Sequence, residues 1–173
     1  MLRGINVSGQ KLIKMERLRV AFGELGFDEV ETNIQSGNVI FNTAKESAAS
    51  LSKKIEAKIL CDFGFSVPVI VRTPAEFGEV LKQNPFLKEA GIDESKLHVT
   101  FLSAAAPGTA EKFLQPLAAN SERFCICGRE IYLHFPDGYG VTKLSNSAIE
   151  KKLSVSATTR NWKTVNALFA MAQ

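Results

Sequence analysis

The chain lacks most of the devices that announce a function. It has only three cysteines, an odd and small number. That excludes a disulfide scaffold and suits a reducing compartment, so a cytoplasmic protein is expected. No apolar run approaches the ~20 residues needed to span a bilayer, and no membrane partner is expected. The first ten residues, MLRGINVSGQ, hold one Arg and no long apolar stretch, so they are not expected to act as a signal peptide. There is no Gly-X-Y or heptad pattern, no internal repeat and no low-complexity segment. No G-x-x-x-x-G-K-[ST] is present, no G-x-G-x-x-G follows a strand, and no G-x-S-x-G elbow accompanies the two His. Neither a cofactor nor a metal is expected.

What remains is an ordinary globular composition over 173 residues, with 45% hydrophobic residues and a net charge of +3. That length suits one domain or two small halves. The charge is uneven. From residue 138 on, Lys143, Lys151, Lys152, Arg160 and Lys163 face only Glu150, giving +4, while the rest of the chain sums to −1. A basic C-terminal end on a near-neutral body is expected to attract a phosphate-bearing partner. A solvated helix surface accounts for the same charges.

Residues 2–7 read as a strand, followed by a Ser8–Gly9 turn. Residues 14–25 read as a helix, because Met15, Leu18, Phe22 and Leu25 recur at helical spacing. Residues 29–35 and 38–42 alternate as strands around Ser36–Gly37, a two-residue turn that would pair Thr32 with Phe41. A helix over 46–61 and a strand over 67–72 follow. The order β-α-β-β-α-β predicts a ferredoxin-like half over residues 1–73. Residues 74–95 read as a helical connector, with a helix over 75–82 broken at Asn84-Pro85. Residues 96–173 read as a second small α+β half. Its strands cover 96–102, 122–127 and 130–135, and a helix covers 109–119. It ends in two helices, over 145–153 and 161–172. The fold class is therefore α+β.

The Gly128–Arg129 turn pairs Cys127 with Glu130, Cys125 with Tyr132 and Arg123 with His134. Phe124, Ile126, Ile131, Leu133 and Phe135 then share the core face. Cys125, Cys127 and His134 share the other. A thiol–imidazole pair or a metal site would need that juxtaposition. A half-exposed sheet face, with Cys as small apolar residues, accounts for it as well. His98 reads as structural or surface, and Asp137-Gly138-Tyr139-Gly140 as a plain turn.

Two segments carry more. Asn6, Asn33, Gln35 and Asn38 are expected on the open face of the first sheet, where amides can read base edges or sugars. Packing of the second half on that face, or capping of the hairpin, would place amides there equally well. That face has no aromatics, which counts against the stacking used by RNA-recognition domains of this topology. In Thr158-Thr159-Arg160-Asn161-Trp162 the hydroxyls or Asn161 are natural caps of the last helix. With the guanidinium they would make an anion site at its N-terminus, which Lys143 and Ser145 could join. A simple capped helix is the alternative.

The runs LRGINVSGQ, IQSGNVIF and GREIYLHFPDGYG, with KLSNSAIEKKL and ATTRNWKTV, resemble the bacterial family called domain of unknown function 1697. The likeness covers nearly the whole chain. It implies a two-part α+β fold whose first half is a ferredoxin variant, and it implies no activity. The family's recurring positions fall on Arg3, Gly4, Asn6, Gln35, Ser36, Gly37, Asn38, Lys143, Leu144 and Thr158 through Trp162. Members usually carry several residues before the L-R-G-I-N motif, so the first strand is expected to be short. Ser8-Gly9 stands where Gly-Gly is more usual.

The leading expectation is a binding module for a nucleotide or nucleic-acid backbone in a cleft between the halves. Its ligand would meet Arg3, Asn6, Gln35, Ser36, Asn38, Lys143, Ser145, Thr158, Thr159, Arg160 and Asn161. Long duplex binding fits poorly with a charge of +3. An enzyme acting on a phosphorylated small molecule, with Asp137 as base, is one alternative. Purely architectural motifs in a protein-interaction domain are the other.

Overall fold

The computed structural model describes residues 1–7 and 9–173. Ser8 of the expected Ser8–Gly9 turn lies outside the described residues. The chain divides into two compact units, residues 1–73 with 170–173, and residues 74–169.

In the first unit, helix α1 (Met15–Glu24) buries Leu18, Ala21 and Phe22. Strands β1 (Asp28–Asn33) and β2 (Asn38–Asn42) form an antiparallel pair. Helix α2 (Ala48–Phe63) is capped by the Ser47 side chain, which accepts from the Ser50 N–H, and it stops at Gly64 with φ 79°. Its buried stripe is Leu51, Ile55 and Ile59, the stripe expected from spacing. These residues pack with Leu2, Ile5, Ile13, Phe27, Val67 and Val69 into one core. Phe22, Phe27 and Phe41 meet edge-on or stacked, with ring centroids 4.3–5.9 Å apart.

Two expectations change here. Residues 2–7 and 67–72 do not form strands; Leu2 and Val69 make an isolated antiparallel bridge. Gly4 and Asn6 take left-handed φ of 70° and 53°, so the backbone turns after the bridge and cannot extend it. Pro68 lacks the N–H that a ladder would use on its other edge. The hairpin loop has four residues, not two. Asn33 pairs with Asn38 and Thr32 with Val39, two residues away from the expected register. A shift of two keeps the paired residues Glu31 to Asn33 on their expected sides of the sheet, while Ile34 and Gln35 pass into the loop.

The second unit holds a four-stranded antiparallel sheet, built from β3 (Leu97–Leu102), β4 (Arg123–Cys127), β5 (Glu130–His134) and β6 (Ala157–Asn161), in the order β4-β5-β3-β6. The β4–β5 register is the one the Gly128–Arg129 turn predicts, pair for pair. Helices α4 (Ala110–Leu114) and α5 (Asn146–Leu153) contribute Ala110, Leu114, Ile149 and Leu153 to a core with Leu102, Ile131, Leu133, Phe135 and Ala157. Pro116 turns the end of the expected 109–119 helix into a short 3-10 segment.

On the opposite face Tyr132 and Phe101 are covered, while Cys125, Cys127 and His134 stay half-exposed, as the sequence suggests. Helix α3 (Pro74–Gln83) lies on it: the Tyr132 hydroxyl donates to the Val80 carbonyl at 3.1 Å, and Phe77 meets Phe101 at 5.4 Å. Tyr132 is 1% exposed, and burial pushes its phenol well above the usual range. The last helix, α6 (Trp162–Met171), begins after β6. Residues 157–161 are thus a strand that runs directly into the helix, so Thr158 to Arg160 lie in the sheet and only Asn161 serves the helix start. Two β-branched threonines suit a strand locally, and β3, distant in sequence, supplies a partner at every position from His98–Asn161 to Leu102–Ala157.

Candidate functional site

The first unit brings its two motifs together. Asn6 is the joint. Its amide nitrogen donates to the Ile13 carbonyl at 2.9 Å and the Gln35 carbonyl at 3.0 Å, and its oxygen accepts from the Ile13 N–H at 2.8 Å. Asparagine suits the position because it tolerates the left-handed backbone found there. The Leu2 N–H donates to the Gly37 carbonyl at 2.8 Å. A methyl group on Gly37 would sit 2.9 Å from both Leu2 Cβ and Ile5 Cγ1, and Gly37 has φ 74°. Only glycine satisfies both demands.

The amides therefore do not form the expected open platform. Asn38 is completely buried, and its nitrogen donates to Ser36 Oγ at 2.8 Å. The Asn33 amide donates to the Met171 sulfur at 3.5 Å. Gln35 is exposed, while Ser36 and Arg3 are half-buried. The Arg3 N–H donates to the Pro68 carbonyl.

In the second unit the pleat of β6 separates residues that look adjacent in sequence. Arg160 pairs with Val99 and Thr158 with Phe101, on the face that α3 covers. Arg160 is only 9% exposed. Its guanidinium donates to Thr158 Oγ1 at 2.7 Å and to the Thr159 carbonyl at 2.8 Å. Burial pulls its pKa down to about 10, which still leaves it charged at neutral pH.

Thr159 points to the other face. Its hydroxyl donates to Asn146 Oδ1 at 2.7 Å and so accepts from the Thr100 hydroxyl, also at 2.7 Å. Ser145 caps α5 by accepting from the Ala148 N–H, and Asn161 caps α6 by accepting from the Thr164 N–H. Lys143 is exposed in the loop before Ser145. Arg160 and Thr158 therefore do not converge with Thr159, Lys143 and Ser145.

Two residues that the sequence marks only as structural and turn residues, His98 and Tyr139, meet beside the Thr159 face. His98 pairs with Asn161 across the sheet, and Tyr139 stacks on the His98 ring at 5.3 Å and 23°. The His98 Nδ1–H donates to the Lys96 carbonyl at 3.3 Å, and burial holds the ring below the usual histidine range. No periodicity reveals this stack, because it depends on β3 pairing with β5, which brings the loop after β5 beside His98. Asp137, the base of the enzyme alternative, is exposed, and its carboxylate accepts from the Ser121 hydroxyl at 3.0 Å.

The thiol–imidazole pair is not formed. His134 Nδ1 lies 3.2 Å from the Arg123 guanidinium, which also makes a two-pronged ion pair with Glu89 at 2.8–2.9 Å. Burial and Arg123 hold the His134 ring below the usual histidine range. Among the described residues no three His, Cys, Asp or Glu side chains group as a three-ligand metal site would require.

The comparisons with known proteins agree with the fold. Along its whole length the chain is similar to a solved structure, the conserved bacterial protein SP0830 from Streptococcus pneumoniae, at 24% identity. The likeness covers 96% of that chain, with a TM-score of 0.66, and it is one of fold. No curated protein matches the chain. The family described as "Protein of unknown function (DUF1697)" matches residues 1–132. That span holds the Asn6–Gln35 joint and stops before the Lys143 and Thr158–Trp162 segments. With more than half of its residues matched, from the first motif through the β4–β5 hairpin, the chain belongs to the DUF1697 family.

Proposed function

We propose that the chain is a binding module for a phosphate-bearing small ligand, a nucleotide by class, on the Thr159 face of the second unit. The observation that carries this is the Thr100–Thr159–Asn146 hydrogen-bond chain. It spends the Asn146 oxygen inside the protein and leaves the amide N–H groups of Asn146 for a ligand at the start of α5. Lys143 precedes that turn by three residues and carries an exposed charge. The stacked Tyr139 and His98 rings offer an aromatic surface on the same face. Phosphate oxygens accept from such donors, and the helix N-terminus favours negative charge.

Arg160 is not a contact in this reading. It stays charged behind the sheet and adds to the local positive potential. The residues of the first unit, Arg3, Asn6, Gln35, Ser36 and Asn38, serve its packing.

A second reading, that the motifs are architectural, is favoured by the burial of Arg160 and by the hydrogen bonds that Asn6 and Asn38 make inside their own unit. Thermal shift against nucleotides and inorganic phosphate separates the two. Binding predicts stabilisation that Lys143→Ala and Asn146→Ala each remove. No stabilisation by any phosphate compound, or the same stabilisation in both variants, leaves the architectural reading.

A further inference from the structure

We propose that Cys125 and Cys127 form a two-thiolate site for a soft monovalent cation of the copper(I) class. The geometry starts from the strand. β4 is an edge strand and pairs with β5 in regular register, Cys125 opposite Tyr132 and Cys127 opposite Glu130. Residues two apart in a regular strand share a face and stand ~6.7 Å apart along it. Both cysteines are half-buried and free.

That spacing suits a bridged pair better than a disulfide. Disulfide Cα atoms are usually ~4.4–6.8 Å apart, so this spacing lies at the upper end, and the sulfurs must approach to ~2.05 Å. A cation between two thiolates spans ~4.6 Å instead, taking two metal–sulfur bonds of ~2.3 Å each. Soft thiolates select copper(I), zinc and iron–sulfur clusters, and zinc and the clusters take three or four protein ligands where this strand offers two. A two-coordinate ion needs no third ligand, which fits the absence of a larger cluster among the described residues and the engagement of His134 by Arg123.

The surroundings favour a cation over a reactive thiolate. The Cys127 thiol donates to Gln83 Oε1 at 3.1 Å, which places it at the C-terminal end of α3. That end of a helix is negative. Glu130 stands opposite Cys127 on β5. A bound cation displaces both thiol protons, forms two metal–sulfur bonds, and leaves a complex of net charge −1 with no change of oxidation state.

The test uses the full chain carrying Cys61→Ser, so that the remaining cysteine is removed. Copper(I) is titrated without oxygen in competition with bicinchoninate, and free thiols are counted with Ellman's reagent. The expected result is one copper(I) per chain with both thiols protected. Cys125→Ser and Cys127→Ser should each weaken binding by about 100-fold or more, beyond the ~10–100-fold that loss of an outer partner costs. Serine is nearly the size of cysteine, and an unchanged circular dichroism spectrum confirms that each variant is folded. Absence of binding, or equal binding by the single-cysteine variants, overturns the proposal.

Discussion

The side chain of Asn6 donates to the backbone carbonyl of Gln35 at 3.0 Å, across 29 residues of sequence. The same amide brackets Ile13 from both sides. One left-handed asparagine therefore ties the N-terminal segment to the hairpin turn and to the entry of α1. Val7, Leu12 and Ile34, each beside one of the three tied residues, remain exposed. The tie consequently rests on polar contacts and not on packing at its rim.

Replacing Asn6 separates two contributions. Asn6→Gly keeps the backbone freedom and loses the three hydrogen bonds, which should cost about 2 kcal/mol. Asn6→Ala adds the left-handed penalty of about 1 kcal/mol. Urea denaturation of the three proteins measures both. Equal stability of wild type and Asn6→Gly would mean that the joint contributes nothing.

Gly37→Ala should be the more damaging change in the same turn. The added methyl group meets Leu2 and Ile5 at 2.9 Å, under normal contact, and the backbone there is left-handed. Strain and overpacking together should cost about 3 kcal/mol. A cost under about 0.5 kcal/mol would show that residues 2–5 do not press on the turn.

His98 should make stability depend on pH on the acid side. Burial lowers its folded pKa below the unfolded value of 6.5, so the folded state resists protonation. Below pH 6.5 the unfolded chain binds the proton first, and stability falls as pH falls toward the folded pKa. His134 is shifted the same way and adds to the slope. His98→Gln should flatten the decline between about pH 7 and pH 5, read from denaturation midpoints. An unchanged slope would assign the effect to His134 or to carboxylates.

Much of the local structure was legible in advance. The stripes of α1 and α2 and the β4–β5 register follow from spacing and turn chemistry, and of the caps offered for the last helix Asn161 is the one used. The first hairpin was not, because its four-residue loop uses Ile34 at φ 49°, a conformation β-branched residues rarely adopt. The candidate site was legible only in part. Lys143, Ser145 and Thr159 stand among the expected contacts; His98 and Tyr139 read only as structural and turn residues, Asn146 carries no signal, and Arg160 and Thr158 fall on the opposite face.

By itself the sequence determined which segments are amphipathic, where turns break them, and which cysteines and charges stand near one another along the chain. These depend on periods of 2 and 3.6 residues and on glycine, proline and asparagine chemistry, all local. The tertiary structure alone decided that residues 157–161 pair with β3 as a strand, that α3 covers Tyr132, and that Asn6 reaches Gln35. Those are contacts between distant segments. A strand's two faces acquire meaning only once its neighbours are in place.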